Sequence, residues 1–273
     1  MKLATWNVNS IRARISQIQE WLEANDPSLL CLQETKVEDE HFPVKEFRKY
    51  GYKVSFHGEK SYNGVALISK NNLEDVTKGF DSICNNDETN ILNKQSRIIT
   101  CLIEDIRVVN VYVPNGSDLN SEKFTYKLKW LTLLKSYIEL LSTNNESICI
   151  LGDFNIAPEN NDIHSPERFC GSIMASKNER DLLNKITKNK FTDAFRIFEK
   201  DSGHWTWWDY RSRGWEADRG WRIDHIYLTN NLLPYVKNCF IDKKIRGNTR
   251  PSDHAPVVME INWPSEEIED FLF

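Results

Sequence analysis

Apolar residues along the chain come in short runs rather than long stripes. The runs at 2–8 (KLATWNV), 28–32 (SLLCL), 52–57 (YKVSFH), 64–69 (GVALIS) and 97–103 (RIITCLI) are brief, β-branched and bounded by Gly, Pro, Asn or Asp. So are those at 106–113 (IRVVNVYV), 146–151 (ESICIL), 222–228 (RIDHIYL) and 255–261 (APVVMEI). These are the marks of strands. Ile11, Ile15, Ile18 and Leu22 fall on one face of a helix. A longer helix is predicted over about 121–141, with Phe124, Leu128, Leu131, Leu134 and Ile138 on its buried side, and a third near 178–187.

Several of these strands follow each other with only turns between them. Strict strand–helix alternation is absent, which argues against a purely parallel sheet. The elements fit an α/β fold with two mixed β-sheets packed together and helices outside. The polar segment 158–178 reads as a surface loop. No repeat, linker or low-complexity tract divides the chain, so a single domain over residues 1–273 is expected.

Composition changes this picture little. Hydrophobic residues make up 40% and charged residues 27% of the 273 positions, an ordinary soluble balance. The net charge of −5 means that a polyanionic partner would have to be met by local basic patches. The six cysteines, at 31, 84, 101, 149, 170 and 239, form no CxxC pair, which excludes a zinc knuckle or dithiol motif. Cys31, Cys101 and Cys149 sit inside apolar runs and read as small buried residues in a reducing compartment. No apolar stretch is long enough to span a membrane. Met1-Lys2-Leu3 passes at once into a strand-like run, so no signal peptide and no membrane partner are expected. A cytoplasmic location is expected, nucleoid-associated if the source is bacterial.

The polar residues at strand ends carry the chemistry. Asn7 and Asn9 end the first run, Glu34 the second, and Tyr112 and Asn115 flank the end of VVNVYVPN. In ILGDFNIAP, Asp153 and Asn155 stand where an apolar run stops, two residues apart, and alternation would put them on one side of an extended chain. Gly152 before them would let the backbone approach something closely. Asp224 lies within WRIDHIYL, and Asp253 and His254 precede the last run. Each alone reads as a turn former or a solvated group. Together they supply hard oxygen ligands that match Mg²⁺ or Mn²⁺, and one histidine suited to proton transfer or phosphate orientation. Hard-metal, carboxylate-rich sites mostly handle phosphate esters. Of the two Asp-His pairs, His225 points away from Asp224 on an extended strand and reads as structural, leaving His254 as the functional histidine.

Five of nine tryptophans fall in 205–221, interleaved with Arg211, Arg213, Arg219 and Arg222. Some belong to a core, yet the mixture also suits stacking on sugars or bases beside phosphates. Lys243, Lys244, Arg246 and Arg250 fit phosphate contacts and a solvated surface equally well.

WNVNSIRAR, LQETK, NGVALIS, VYVPNG, LGDFNIAP, WRIDHIYL and SDHAPV occur in this order over residues 2 to 261. The chain resembles the exonuclease III family of abasic-site endonucleases, within the deoxyribonuclease I-like superfamily. That resemblance implies a four-layered α/β/β/α sandwich with two mixed sheets face to face. It implies a monomeric, Mg²⁺-dependent nuclease, with Mn²⁺ as a substitute. Its partner would be duplex DNA carrying abasic sites or 3′ ends. It assigns Glu34 to the metal, with Asn7, Asp153, Asn155 and Asp253 as further ligands. Tyr112, Asp153, Asn155, Asp224 and His254 are the implied catalytic residues: Asp153 on the water, Asn155 and Tyr112 on the phosphate, Asp224 orienting His254. Trp208, Arg211 and Trp221 are the implied DNA-binding residues, the two tryptophans shaping a pocket for the extruded abasic nucleotide. The alternatives are a phosphatase or diesterase acting on a lipid or small phosphate, and an inactive DNA-binding protein. The WDYRS and GWRID segments weigh against the first, and the full set of expected ligands against the second.

Overall fold

The computed structural model describes residues 1–144 and 147–264. Among these, the strands are β1 (Lys2–Asn7), β2 (Leu29–Gln33), β3 (Lys53–His57), β4 (Val65–Ser69), β5 (Glu74–Lys78) and β6 (Ile98–Ile103). They continue as β7 (Ile106–Tyr112), β8 (Ile148–Asp153), β9 (Phe191–Asp193), β10 (Asp224–Thr229), β11 (Val236–Ile241) and β12 (Val257–Ile261). The helices are α1 (Ile11–Asn25), α2 (Val44–Arg48), α3 (Asp87–Asn93), α4 (Glu122–Asn144), α5 (Pro166–Phe169), α6 (Lys177–Thr187) and α7 (Ala194–Phe198).

The strands form two six-stranded sheets, ordered β11-β12-β1-β2-β4-β3 and β5-β6-β7-β8-β10-β9. Each holds one parallel pair, β1 with β2 and β7 with β8; the other pairings are antiparallel. A parallel pair needs a long crossover, and α1 and α4 supply the two. Leu3, Cys31 and Leu67 of one sheet meet Cys101, Val108, Cys149 and Leu151 of the other in the central core. On the outer face of the first sheet, Trp6, Leu30 and Ile68 pack under Ile18 and Leu22 of α1. On the second, Val109 and Ile150 pack under Trp130 and Leu134 of α4 and Leu183 of α6. The order helix, sheet, sheet, helix agrees with the expected sandwich. No helix of the described residues is long and apolar enough to cross a membrane.

Edge elements escaped the periodicity reading. β5 is exposed at four of its five positions, and β11 buries only Cys239, so neither carries a clear alternation. The run predicted from 222 becomes a strand only at Asp224, because Arg222 and Ile223 are still part of the approach to it. The predicted strand start at Glu146 lies outside the described residues, as does the end of the chain beyond 264. The segment 158–178 is not a plain surface loop. It contains a 3-10 turn at Asn160–Asp162 and α5, and it buries Ile163, Met174 and Ala175 against Trp221.

Candidate active site

Strand register builds the site. Tyr112 of β7 pairs with Asp153 of β8, and Asp153 pairs with Asp224 of β10, so three polar residues stand in one row at the sheet rim. Gly152 permits it. Its φ is +143°, and a Cβ there would stand 2.0 Å from the carbonyl oxygen of Val111 on β7. Past Asp153 the strand stops. Asn155 takes φ +49°, and its backbone N–H donates to Asp153 Oδ1 at 2.9 Å. A turn, rather than strand alternation, brings Asn155 beside Asp153.

The first sheet closes the site from the other side. Asn7, at the end of β1, donates from Nδ2 to Glu34 Oε1 at 2.9 Å and to Asp153 Oδ2 at 2.8 Å. Its Oδ1 accepts the backbone N–H of Asn9. Glu34 follows β2 on a strained turn, with φ positive at Glu34 and Lys36. Gly64 lets that turn close on β4: a Cβ at its φ of +91° would stand 2.1 Å from Thr35 Oγ1. Lys36 Nζ lies 2.8 Å from Glu34 Oε2 and 2.6 Å from Asn9 Oδ1. Burial alone would raise the Glu34 carboxyl, but the Lys36 ammonium and the Asn7 carboxamide hold it below its usual value.

His254 completes the group. Its Nδ1 is 2.9 Å from Asp224 Oδ2 and its Nε2 is 3.9 Å from Asp153 Oδ2. Burial opposes charge on this ring, yet the carboxylates of Asp224 and Asp153 outweigh it and push the imidazole up to about 10. Asp153 moves up from its usual range, through burial first and the Asp224 charge second. Burial, then the charge of Glu34, pushes the Tyr112 hydroxyl well up, so it stays a hydrogen-bond donor at neutral pH. Asp253 is held low against burial by His254 and by donors on both oxygens: Asn9 Nδ2 at 2.9 Å and Trp207 Nε1 at 3.0 Å.

Ligand atoms of Glu34, Asp153 and His254 lie within 4.8 Å of one another, an arrangement that could hold a metal ion. The two carboxylates fit a hard cation. Nδ1 of His254 is taken by Asp224, which leaves Nε2 facing Asp153. Asn7 and Asn155 turn amide nitrogens toward Asp153, and the Asn155 oxygen accepts from Asn115 at 2.9 Å. The oxygens of Asn7, Asn155 and Asp253 each accept a hydrogen bond and keep a lone pair to spare, while the two carboxamides hold the Glu34 and Asp153 carboxylates through their nitrogens.

A cavity of about 670 Å³ adjoins this group, walled by Trp207, Trp221, Phe169, Ile173, Met174 and His164. Trp207 forms backbone bridges to both Trp221 and His254, which ties the cavity to the catalytic row.

The sequence matches the Endonuclease/Exonuclease/phosphatase family over residues 4–254. Exodeoxyribonuclease III of Haemophilus influenzae is 34% identical over 272 residues, spanning 95% of this chain and 99% of that protein. The chain belongs to this family. A solved 3′ phosphatase from Neisseria, bound to a product DNA hairpin, is similar with TM-score 0.91 and 35% identity, over 96% of this chain and 100% of that one. An AP endonuclease structure from Archaeoglobus fulgidus gives TM-score 0.88 and 38% identity over the same shares.

Within this Endonuclease/Exonuclease/phosphatase member, the structure brings together Asn7, Glu34, Tyr112, Asp153, Asn155, Asp224, Asp253 and His254. His225 lies outside the group, as expected. Its ring is fully buried, bonded to the Ile156 carbonyl and packed on Phe154. Trp208 is a correction. It is 0% exposed, edge-on to Trp215 and covered by Arg246, so it belongs to the core and is not a wall of this cavity. The cavity tryptophan is its neighbour Trp207; backbone alternation puts adjacent residues on opposite faces. Trp221 does line the cavity, whereas Arg211 is exposed on the 3-10 turn at Tyr210–Ser212 and is not among its walls. Arg246 is buried over Trp208 and donates to the Ser252 carbonyl, so it supports the His254 loop from beneath. Lys127, which bonds the Asn155 carbonyl, was hidden in the apolar face of a predicted helix and gave no signal of its own.

Proposed function

We propose that this protein is a Mg²⁺-dependent DNA-repair nuclease. It hydrolyses the phosphodiester 5′ to abasic sites in duplex DNA and acts at 3′ ends as exonuclease and 3′-phosphatase. It does so as a monomer of one domain, in the compartment that holds the DNA. The observation that carries this reading is the row Tyr112–Asp153–Asp224, closed by His254 and Glu34 and opening beside the Trp207–Trp221 cavity.

Each side chain has a task that its surroundings allow. Asp153, held by Asn7 and by the Asn155 turn, is placed to orient an attacking water and take its proton. His254 stays protonated and offers Nε2–H and positive charge to a phosphate oxygen, while Asp224 fixes its other nitrogen. The Tyr112 hydroxyl donates from the same rim, while Asn155 gives its amide N–H groups to Asp153 and the Val113 carbonyl and so braces the carboxylate. Asn7 holds the Glu34 and Asp153 carboxylates in register with each other. Glu34, with Asp153 beside it, would hold a Mg²⁺ ion, which would supply Lewis-acid stabilisation of charge on the phosphoryl oxygens. The aromatic cavity accepts a sugar that carries no base, which a stacked normal nucleotide cannot offer. Relatives named exodeoxyribonuclease III, 3′ phosphatase and AP endonuclease support the three activities.

The test is a labelled duplex with one abasic analogue, set against an intact duplex, a 3′-phosphate end and an inositol phosphate, with and without Mg²⁺. Cleavage of the abasic duplex and removal of the 3′-phosphate, only with metal, support the reading. Preference for the inositol phosphate rejects it.

A further inference from the structure

Lys127 of α4 and Glu179 of α6 form an ion pair with no exposure on either side chain. Every bonding position on the pair is filled. The Lys127 ammonium has three N–H donors, and they reach Glu179 Oε1 at 2.5 Å, the Asn155 carbonyl at 2.7 Å and the Asn115 carbonyl at 3.1 Å. Glu179 Oε1 also accepts the Met174 N–H at 3.0 Å, and Oε2 accepts the Ser176 N–H at 3.0 Å and the Ser176 hydroxyl at 2.5 Å.

A buried pair of this kind adds little net stability, because desolvation of two ions offsets their attraction; apolar replacements of similar volume are often as stable. Its worth lies in what it grips. On one side are the main chains of Asn155, which leans on Asp153, and Asn115, whose amide bonds the Asn155 side chain. On the other is Met174, a wall of the cavity, whose sulfur also lies 3.5 Å from Asn115 Nδ2.

We propose that Lys127 and Glu179 are positioning residues that lock Asn155, the brace of Asp153, and the cavity wall at Met174 to one another. The inference rests on the reading of the site given above. A change at either ion is then felt at both places, and the alignment of a sugar in the cavity with the Asp153 carboxylate depends on the pair.

The test uses the full chain with Lys127→Met, Glu179→Gln and the apolar double variant Lys127→Met/Glu179→Leu. Amide hydrogen exchange is read at Asn155 and Met174 in the free protein, beside kcat and KM on abasic duplex. Each single change should speed exchange at both amides by about tenfold or more, relative to core strands. It should also lower kcat by about 10- to 100-fold, the scale of a small misplacement. The double variant should fold, at a lower melting temperature because it orphans the backbone partners of the pair, and show the same loosening and the same loss. Single changes felt only at the nearer amide, or a folded double variant with wild-type exchange and kcat, overturn the proposal. A double variant that does not fold makes the pair a stability element and overturns it equally. Because exchange is read without DNA, a wild type inert on abasic duplex but coupled in exchange would reject the functional reading and leave this one standing.

Discussion

Asp153 and Asp224 lie directly opposite each other on neighbouring antiparallel strands, and His254 turns one ring nitrogen toward each. Like charges opposed across a sheet repel. Here the buried His254 imidazole sits against both, so the three form one charge cluster.

That unit sets a pH dependence. The imidazole rises from 6.5 to about 10 on folding, so its contribution to stability is fully present below 6.5 and is lost as pH rises through about 10. The upward shift of Asp153 has the same sign, since a carboxyl raised by folding loses stability above its ordinary range. Metal-free protein should therefore lose stability between pH 6.5 and 10. Asp224→Asn should flatten the slope and move the His254 imidazole down, as read by NMR titration. It should also lower kcat, and combined with His254→Asn the loss should be much smaller than the product of the two singles. Multiplicative losses, or an unmoved imidazole, would separate the two residues.

EDTA should abolish cleavage, and Mg²⁺ or Mn²⁺ should restore it. Lys36 adds a sharper test, because its ammonium sits on the same Glu34 carboxylate that would hold the ion. Lys36→Met removes a competing charge at close range, so half-maximal activity should need roughly 3- to 10-fold less metal. A higher metal requirement would show that Lys36 supports the ion rather than competing with it.

Adjacent tryptophans should part company. Trp207→Ala removes an aromatic wall of the cavity and should cost about 1–3 kcal/mol in kcat/KM on abasic DNA, with 3′-phosphate removal less affected. Trp208→Ala opens a void in the core and should cost about 3–5 kcal/mol of stability, read by denaturant melts, with no change in substrate preference once folded. Equal effects of Trp207→Ala on both substrates would remove Trp207 from lesion recognition.

How far this was legible in the sequence follows from what each residue's signal depends on. β1, β2, β4, β7, β8 and β12 are central strands, and their apolar runs were unmistakable; β5 and β11 are edges with little burial to write a pattern. Asp153, Asn155, Glu34, Asp224 and His254 stood out because polar groups at the ends of buried strands are costly to explain otherwise. The side of the chain that each tryptophan takes depends on backbone bridges among 207, 221 and 254, residues remote in sequence, so the sequence alone does not tell Trp207 from Trp208. Lys127 was invisible for the opposite reason: it occupies an apolar helix face, and only the fold brings its three acceptors to it.

The most direct test of the account is Asp153→Asn, measured by single-turnover incision of an abasic duplex together with DNA affinity. The change keeps the size of the side chain but removes the charge, the proton acceptor and one of the two oxygens that receive Asn7 and Asn155. Loss of a general base alone slows chemistry by about 10²–10⁴, so incision should fall by at least that much while DNA binding stays within a few-fold of wild type. A folded variant that keeps half the wild-type rate would reduce the Gly152–Asn155 stretch to a turn and contradict the account.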